Sequence, residues 1–141
     1  MYFYGHAALV PDRTTLSVIR RGGYEGLALA IEWCLERATA RTGVGVDYQY
    51  DPALPPIDPA VGIACFRIVQ EAVSNSVRHA SPTQVTVRLR ATGTGIELVC
   101  ADNGCGFEVQ GGPAAGSADR SLGLPSMRER AELVGGRLTI H

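Results

Sequence analysis

The stretch from Asp58 to Pro82 does most to limit what this chain can fold into. An aspartate side chain can accept from the free amides that open a helix, and a proline has no N–H to lose at the first helical position, so Asp58-Pro59 marks a helix start. No other proline intervenes before Ser81-Pro82, which closes the segment near Ala80. Cys65, Phe66, Val69, Val73 and Val77 fall on one side of this helix. Arg67, Glu71, Asn75 and Arg78, at i, i+4, i+8 and i+11, form a polar stripe on the other. Such a stripe is ordinarily a solvated face with an Arg67 to Glu71 ion pair. Asn75 makes this one unusual, because asparagine is a mediocre helix former and sits one turn from an acid with which it could share a hard cation and a water.

Around this helix the periodicity switches repeatedly. From Tyr24 to Thr42, Leu27, Ala30, Ile31, Cys34, Leu35 and Ala38 recur at helical spacing, and Gly43 supplies the stop. Residues 1–23 are mixed: Leu16, Val18 and Ile19 hint at a helix end or strand, Arg20-Arg21-Gly22-Gly23 breaks it, and little regular structure is expected there. Val44, Val46, Tyr48 and Tyr50 alternate with polar or small residues, the pattern of a half-buried strand. Val85, Val87 and Leu89, then Ile96, Leu98 and Cys100 across Gly93-Thr94-Gly95, predict a hairpin. A Gly, Ala and Ser stretch from Gln110 to Ser121 suits a lid that orders on binding. A short helix is expected from about Leu124 to Val134, ended by Gly135-Gly136, with Arg137 to Ile140 beginning another strand. In a chain of 141 residues this order predicts one α+β domain, a two-layer sandwich with helices on one face of a mixed sheet.

Composition removes several chemistries. All thirteen basic side chains are arginine, so a Walker-type phosphate loop, a protein-kinase strand lysine and a Schiff base are excluded. Any phosphate must be met by backbone amides, Arg, Asn or a metal. Thirteen cations against fourteen acids leave a net charge of -1, which gives no global attraction to nucleic acid or an anionic membrane. Cys34, Cys65, Cys100 and Cys105 are too widely spaced for a zinc ribbon or a C-x-x-C pair, and the first three lie in apolar patterns, so buried free thiols in a reducing compartment are expected. Met1 to Val10 lacks the features of a signal peptide and no apolar run approaches a membrane span, so a cytoplasmic location is expected, in a parent protein that membrane-spanning segments elsewhere could anchor.

Two more constellations stand out. Asp102-Asn103-Gly104-Cys105-Gly106-Phe107 directly follows a strand. An acid there can accept from an exocyclic amine while the glycines admit close backbone approach, although an isolated Asp-Asn-Gly is more often a tight turn. Ser121-Leu122-Gly123-Leu124-Pro125-Ser126-Met127-Arg128-Glu129-Arg130 enters a helix whose free amides could hold phosphate, or is a plain loop-to-helix junction. In this order and spacing the three motifs resemble a known family. Phe66 to Ala80, reading FRIVQEAVSNSVRHA, is similar to the N box of two-component sensor histidine kinases, Asp102 to Phe107 to their first glycine box, and Gly123 to Arg130 to the second. Gly26-Leu27 with the helix through Arg41-Thr42-Gly43 resembles the segment joining dimerisation helices to the ATPase domain in one kinase subfamily, so the likeness covers about Leu16 to Ile140.

The resemblance implies the Bergerat-type ATP-binding fold shared with gyrase, a heat-shock chaperone and a mismatch-repair ATPase. It implies that Asn75 coordinates the magnesium bridging the phosphates and that Glu71 positions a metal-bound water or acts as a base. It assigns Asp102 to the adenine amino group, Gly104 and Gly106 to the base pocket, Gly123 with Leu124 to the lid side of the nucleotide, and Arg78 and His79 to its neighbourhood. Residues 24–141 would be the catalytic domain without its last strand, and residues 1–23 a remnant of dimerisation helix or linker. The implied reaction is γ-phosphoryl transfer from Mg-ATP to a histidine on a separate dimerisation domain, then relay to a response regulator. The second box departs from the family in carrying Ser126 where a further glycine usually stands, after Pro125. None of His6, His79 and His141 has the setting of a phosphoacceptor. Two competing readings are an anti-sigma-factor-like serine kinase of the same fold and a degenerate, non-catalytic interaction module.

Overall fold

The structure is a computed structural model and describes residues 13–52, 56–93, 95–105 and 123–140. Helix α1 spans Arg13–Thr39, strand β1 Gly45–Tyr50, helix α2 Pro59–Asn75, strands β2 and β3 Gln84–Thr92 and Gly95–Asp102, and helix α3 Leu124–Leu133. Between α2 and β2, Ser76–Ala80 forms a π-helical turn. The Asp58 carboxylate accepts from the Ala60 amide at 2.8 Å, which is the N-cap expected of Asp58-Pro59. Ser81, at φ 48°, ends the segment in the left-handed region.

The sheet is mixed, in the order β1-β2-β3, with β1 parallel to β2 and β3 antiparallel to it. A parallel pair needs a crossover, and α2 is that crossover. Val85, Val87 and Leu89 are essentially fully buried beneath the helices, while Arg88 on the opposite face pairs with Asp47 of β1 at 3.2 Å. This alternation puts all helices on one face, as the period-two pattern predicts. Ile19, Leu27, Ile31, Leu35, Phe66, Val69, Val73, Leu124 and Met127 complete one core. Two tyrosines fix α1 over the sheet: Tyr24 Oη donates to the Leu89 carbonyl at 3.2 Å, and Tyr48 Oη to the Ala28 carbonyl at 2.9 Å. No described helix is long and apolar enough to cross a membrane.

Three local expectations change. The first helix starts at Arg13, well before Tyr24, and Ile19 belongs to the core. The Gly22-Gly23 break survives as a kink, with Gly23 at φ 56°, ψ -135°, inside a helix that continues on both sides. Burial of Ile19 offsets the weak local propensity that argued against helix there. The segment around Leu138 and Ile140 keeps its in-and-out alternation but joins no ladder among the described residues. Alternation shows which side is buried; a strand also needs a partner. The Gln110 to Ser121 stretch lies outside the described residues.

Candidate nucleotide site

Topology brings the motifs together. Helix α2 ends just before β2 begins, and β3, running antiparallel, ends beside that same point, with Asp102 paired to Val85. Asp102 therefore projects to the helix side of the sheet, as Val85 does, next to the end of α2. The Ser76 hydroxyl donates to Asp102 Oδ2 at 2.7 Å, and the Gly104 amide donates to Oδ1 at 2.8 Å. The Cys105 amide donates to the Ala80 carbonyl at 2.9 Å. Gly104 lies so close to Ala80 that a Cβ would drive into its carbonyl and sit 2.7 Å from its methyl carbon. Asn103 clamps the opposite side of the loop: its Oδ1 accepts from the Thr83 and Gln84 amides at 2.9 and 3.0 Å, and its Nδ2 donates to Thr83 Oγ1 at 2.7 Å.

The polar stripe is solvated only in part, with Arg78 exposed, Arg67 and Glu71 half-buried and Asn75 inside. Asn75 is fully buried, and its Oδ1 and the Oε2 of Glu71, one turn earlier, are both shielded from solvent. Helix α3 packs against α2 and sets Arg130 near Arg67. Burial first, and then the charge of Arg130, hold the Arg67 guanidinium below its ordinary pKa, while Glu71 acts in the opposite sense. Nε of each arginine is shielded and meets no acceptor among the described residues. Along α2, concentrated positive charge at Arg67 is thus followed by oxygen donors at Glu71 and Asn75.

Two such donors suit magnesium, which takes one or two protein ligands and completes its shell with water and substrate phosphates. The described residues contain no cluster of three His, Cys, Asp or Glu side chains that would hold a metal without a substrate. Arg78 and His79 lie exposed on the π-helical turn. Gly123, at φ 69°, caps the start of α3 in the left-handed region, where glycine avoids the Cβ penalty. The Leu124 side chain is wholly buried, so only its backbone can face a ligand. Gly106 lies outside the described residues. A cavity of about 510 Å³ lies elsewhere, lined by Val61, Ala64 and Ile68 of α2, the β2–β3 hairpin and residues 134–138, and none of Glu71, Asn75, Asp102, Gly104 and Gly123 borders it.

Sequence reasoning missed Ser76 as a partner of Asp102. Twenty-six positions separate the two, and only pairing of β3 with β2 brings them together. It also missed the clamp by Asn103 and the juxtaposition of Arg67 with Arg130, which likewise depend on how loop and helices dock.

The crossover helix thus ends in a buried asparagine, and the residue after it holds the strand-end aspartate. Residues 60–141 match the family described as histidine kinase-, DNA gyrase B-, and HSP90-like ATPase, and the chain belongs to that family. It is similar to the signal transduction histidine-protein kinase/phosphatase DegS of Bacillus subtilis (strain 168), 38% identical over 82 residues, covering 58% of this chain and 21% of that protein. DegS of Brevibacillus brevis is 29% identical over 136 residues, covering 95% of this chain and 34% of that protein. The sensor histidine kinase LiaS of Bacillus subtilis (strain 168) is 40% identical over 91 residues, covering 64% and 24%. The chain thus spans a fifth to a third of the length of these relatives. Among solved structures, the Erythrobacter litoralis EL346 blue-light activated histidine kinase superposes with a TM-score of 0.53 at 15% identity, over 79% of this chain and 45% of that one. That likeness concerns the fold.

Proposed function

We propose that this chain binds Mg-ATP and acts as the catalytic domain of a sensor histidine kinase, with residues 24–141 as the nucleotide-binding unit and residues 1–23 as its connection to a dimerisation domain. The observation that carries the proposal is that Asp102 has one oxygen held by Ser76, the residue next to buried Asn75, and the other by the Gly104 amide. Asp102 accepts from the adenine amino group, with Gly104 and Gly106 beside the base. Asn75 and Glu71 supply oxygens to magnesium, and Glu71 positions a metal-bound water or serves as a base. When bound, the metal neutralises phosphate charge. The amides around Gly123 and Leu124, with Arg78 and His79 nearby, face the phosphates.

Phosphoryl transfer is mainly positioning plus charge neutralisation, and this inventory supplies both without lysine. In the reaction, a histidine nitrogen on the dimerisation domain attacks the γ-phosphorus, the bond from that phosphorus to the β,γ-bridging oxygen breaks, and ADP leaves. A response regulator then takes the phosphoryl group. We place the domain in the cytoplasm, with no nucleic-acid partner and no direct membrane contact.

Calorimetric titration with ATP, with and without magnesium, tests the proposal on the wild type and Asp102→Asn. The amide presents an N–H toward the amine where the acid presented only acceptors, so magnesium-enhanced binding by the wild type should collapse in the variant. A folded wild type that fails to bind ATP would refute it.

A further inference from the structure

We propose that Ser76 is a positioning residue for base selectivity: it holds Asp102 so that the pocket offers only acceptors to the base and favours an exocyclic amine. This rests on the nucleotide-binding function proposed above and assigns a role to a residue outside the three motif roles.

Ser76 is 3% exposed, and its hydroxyl donates to Asp102 Oδ2 at 2.7 Å. A hydroxyl has one proton, and here it is spent on the carboxylate, so towards any other group Ser76 can only accept. Asp102 Oδ1 takes the Gly104 amide at 2.8 Å. Each carboxylate oxygen retains a further lone pair, so the wall formed by Ser76 and Asp102 presents acceptors alone. An amino group meets that wall with a proton. A carbonyl in the same place meets it with a lone pair, and a bare C–H gains nothing.

The second tether fixes direction as well as polarity. The terminal torsion of an aspartate is broad, so a carboxylate held through one oxygen samples a wide arc. Held through both, from the loop on one side and from the end of α2 on the other, it points one way. The fold places both anchors: Ser76 opens the π-helical turn, a local widening often found at functional sites, and Asp102 faces the helix layer because it pairs with Val85. Alanine at position 76 would free Oδ2 and leave the Gly104 amide as the remaining described anchor.

The test is calorimetric titration of the full chain with magnesium and three nucleotides: ATP, GTP and purine riboside triphosphate, which lacks the 6-amino group. Wild type, Ser76→Ala and Ser76→Thr are compared, with urea midpoints taken for each. Wild type should prefer ATP to the purine analogue by about tenfold or more, the scale of a hydrogen bond to a charged group. In Ser76→Ala, ATP affinity should fall about tenfold while affinity for the analogue stays within about twofold, so the preference is lost. Ser76→Thr keeps the hydroxyl and should retain the preference.

If Ser76→Ala weakens ATP and the analogue equally, the residue is merely structural and the inference fails. If the preference for ATP survives in Ser76→Ala, Asp102 needs no such support and the inference fails again. Should alanine unfold the chain, Ser76→Cys, close in shape but a much weaker donor, takes its place with the same expected loss. A folded wild type that binds no nucleotide overturns the nucleotide-binding function itself, a result distinct from either of the other two.

Discussion

Replacing Gly104 by alanine should both destabilise the domain and weaken ATP binding. Gly104 does not sit at positive φ, so the backbone angles themselves tolerate a side chain. The cost is steric: the new methyl would overlap the Ala80 carbonyl and lie 2.7 and 2.8 Å from the Cβ and carbonyl carbon of Ala80. These atoms belong to the helix backbone and its shortest side chain, so nothing flexible can swing aside. Overpacking of this kind costs about 1–3 kcal/mol, and moving the loop outwards also breaks the Cys105 to Ala80 hydrogen bond, worth about 1 kcal/mol. The sum, roughly 2–4 kcal/mol, is a large part of the stability of a domain this size and should lower Tm by about 5–15 °C. Because Asp102 is tethered to the same loop by the Gly104 amide, ATP affinity should fall at least about tenfold. Circular dichroism melts and calorimetric titration measure the two effects. A Tm within about 1 °C of wild type, with unchanged ATP affinity, would refute the close-packing argument.

Gly23→Ala should cost about 1–3 kcal/mol in urea unfolding, all of it backbone strain, since open space surrounds the position while φ 56°, ψ -135° suits only glycine; an unchanged midpoint would show that α1 straightens without loss. Asp58→Ala removes the acceptor for the Ala60 amide and should cost about 1 kcal/mol by the same assay, while Asp58→Asn should cost much less. The Cys34 thiol, pushed by burial from 9.0 to about 11, keeps its proton in the folded state after the unfolded chain has lost it. Stability should therefore be level below pH 9 and fall as pH rises towards 11, and urea midpoints in Cys34→Ala should show a shallower fall over that window. The exposed thiol of Cys105 should react first with a disulfide reagent at neutral pH, and buried Cys34 and Cys100 only on unfolding, which timed absorbance would follow.

Much of the architecture was legible because local rules decided it. The cap at Asp58, the end at Ser81-Pro82 and the alternation in β2 and β3 act within a few residues, and the structure places them where the periodicity did; the first helix stops at Thr39, ahead of the Gly43 that the spacing had as its end. The first half of α1 was not legible, since Arg20 to Gly23 argue locally against helix and only docking of Ile19 into the core offsets that. The segment ending in Leu138 and Ile140 failed the other way, with a strand-like pattern and no ladder partner.

The sequence by itself determined which residues could carry the chemistry. An asparagine one turn from a glutamate, an acid before glycines and a glycine before a helix identify themselves by residue type and spacing, and the absence of lysine narrows how phosphate can be held. The tertiary structure alone decided how those residues are used. Burial of Asn75, the approach of Arg130 to Arg67 and the grip of Ser76 on Asp102 come with two separate dockings, of α3 on α2 and of β3 on β2 beside the end of α2. Helical and strand periodicities reach only a few residues along the chain, whereas a hydrogen bond across twenty-six positions exists only once the crossover helix and the hairpin have closed on the same end of the sheet.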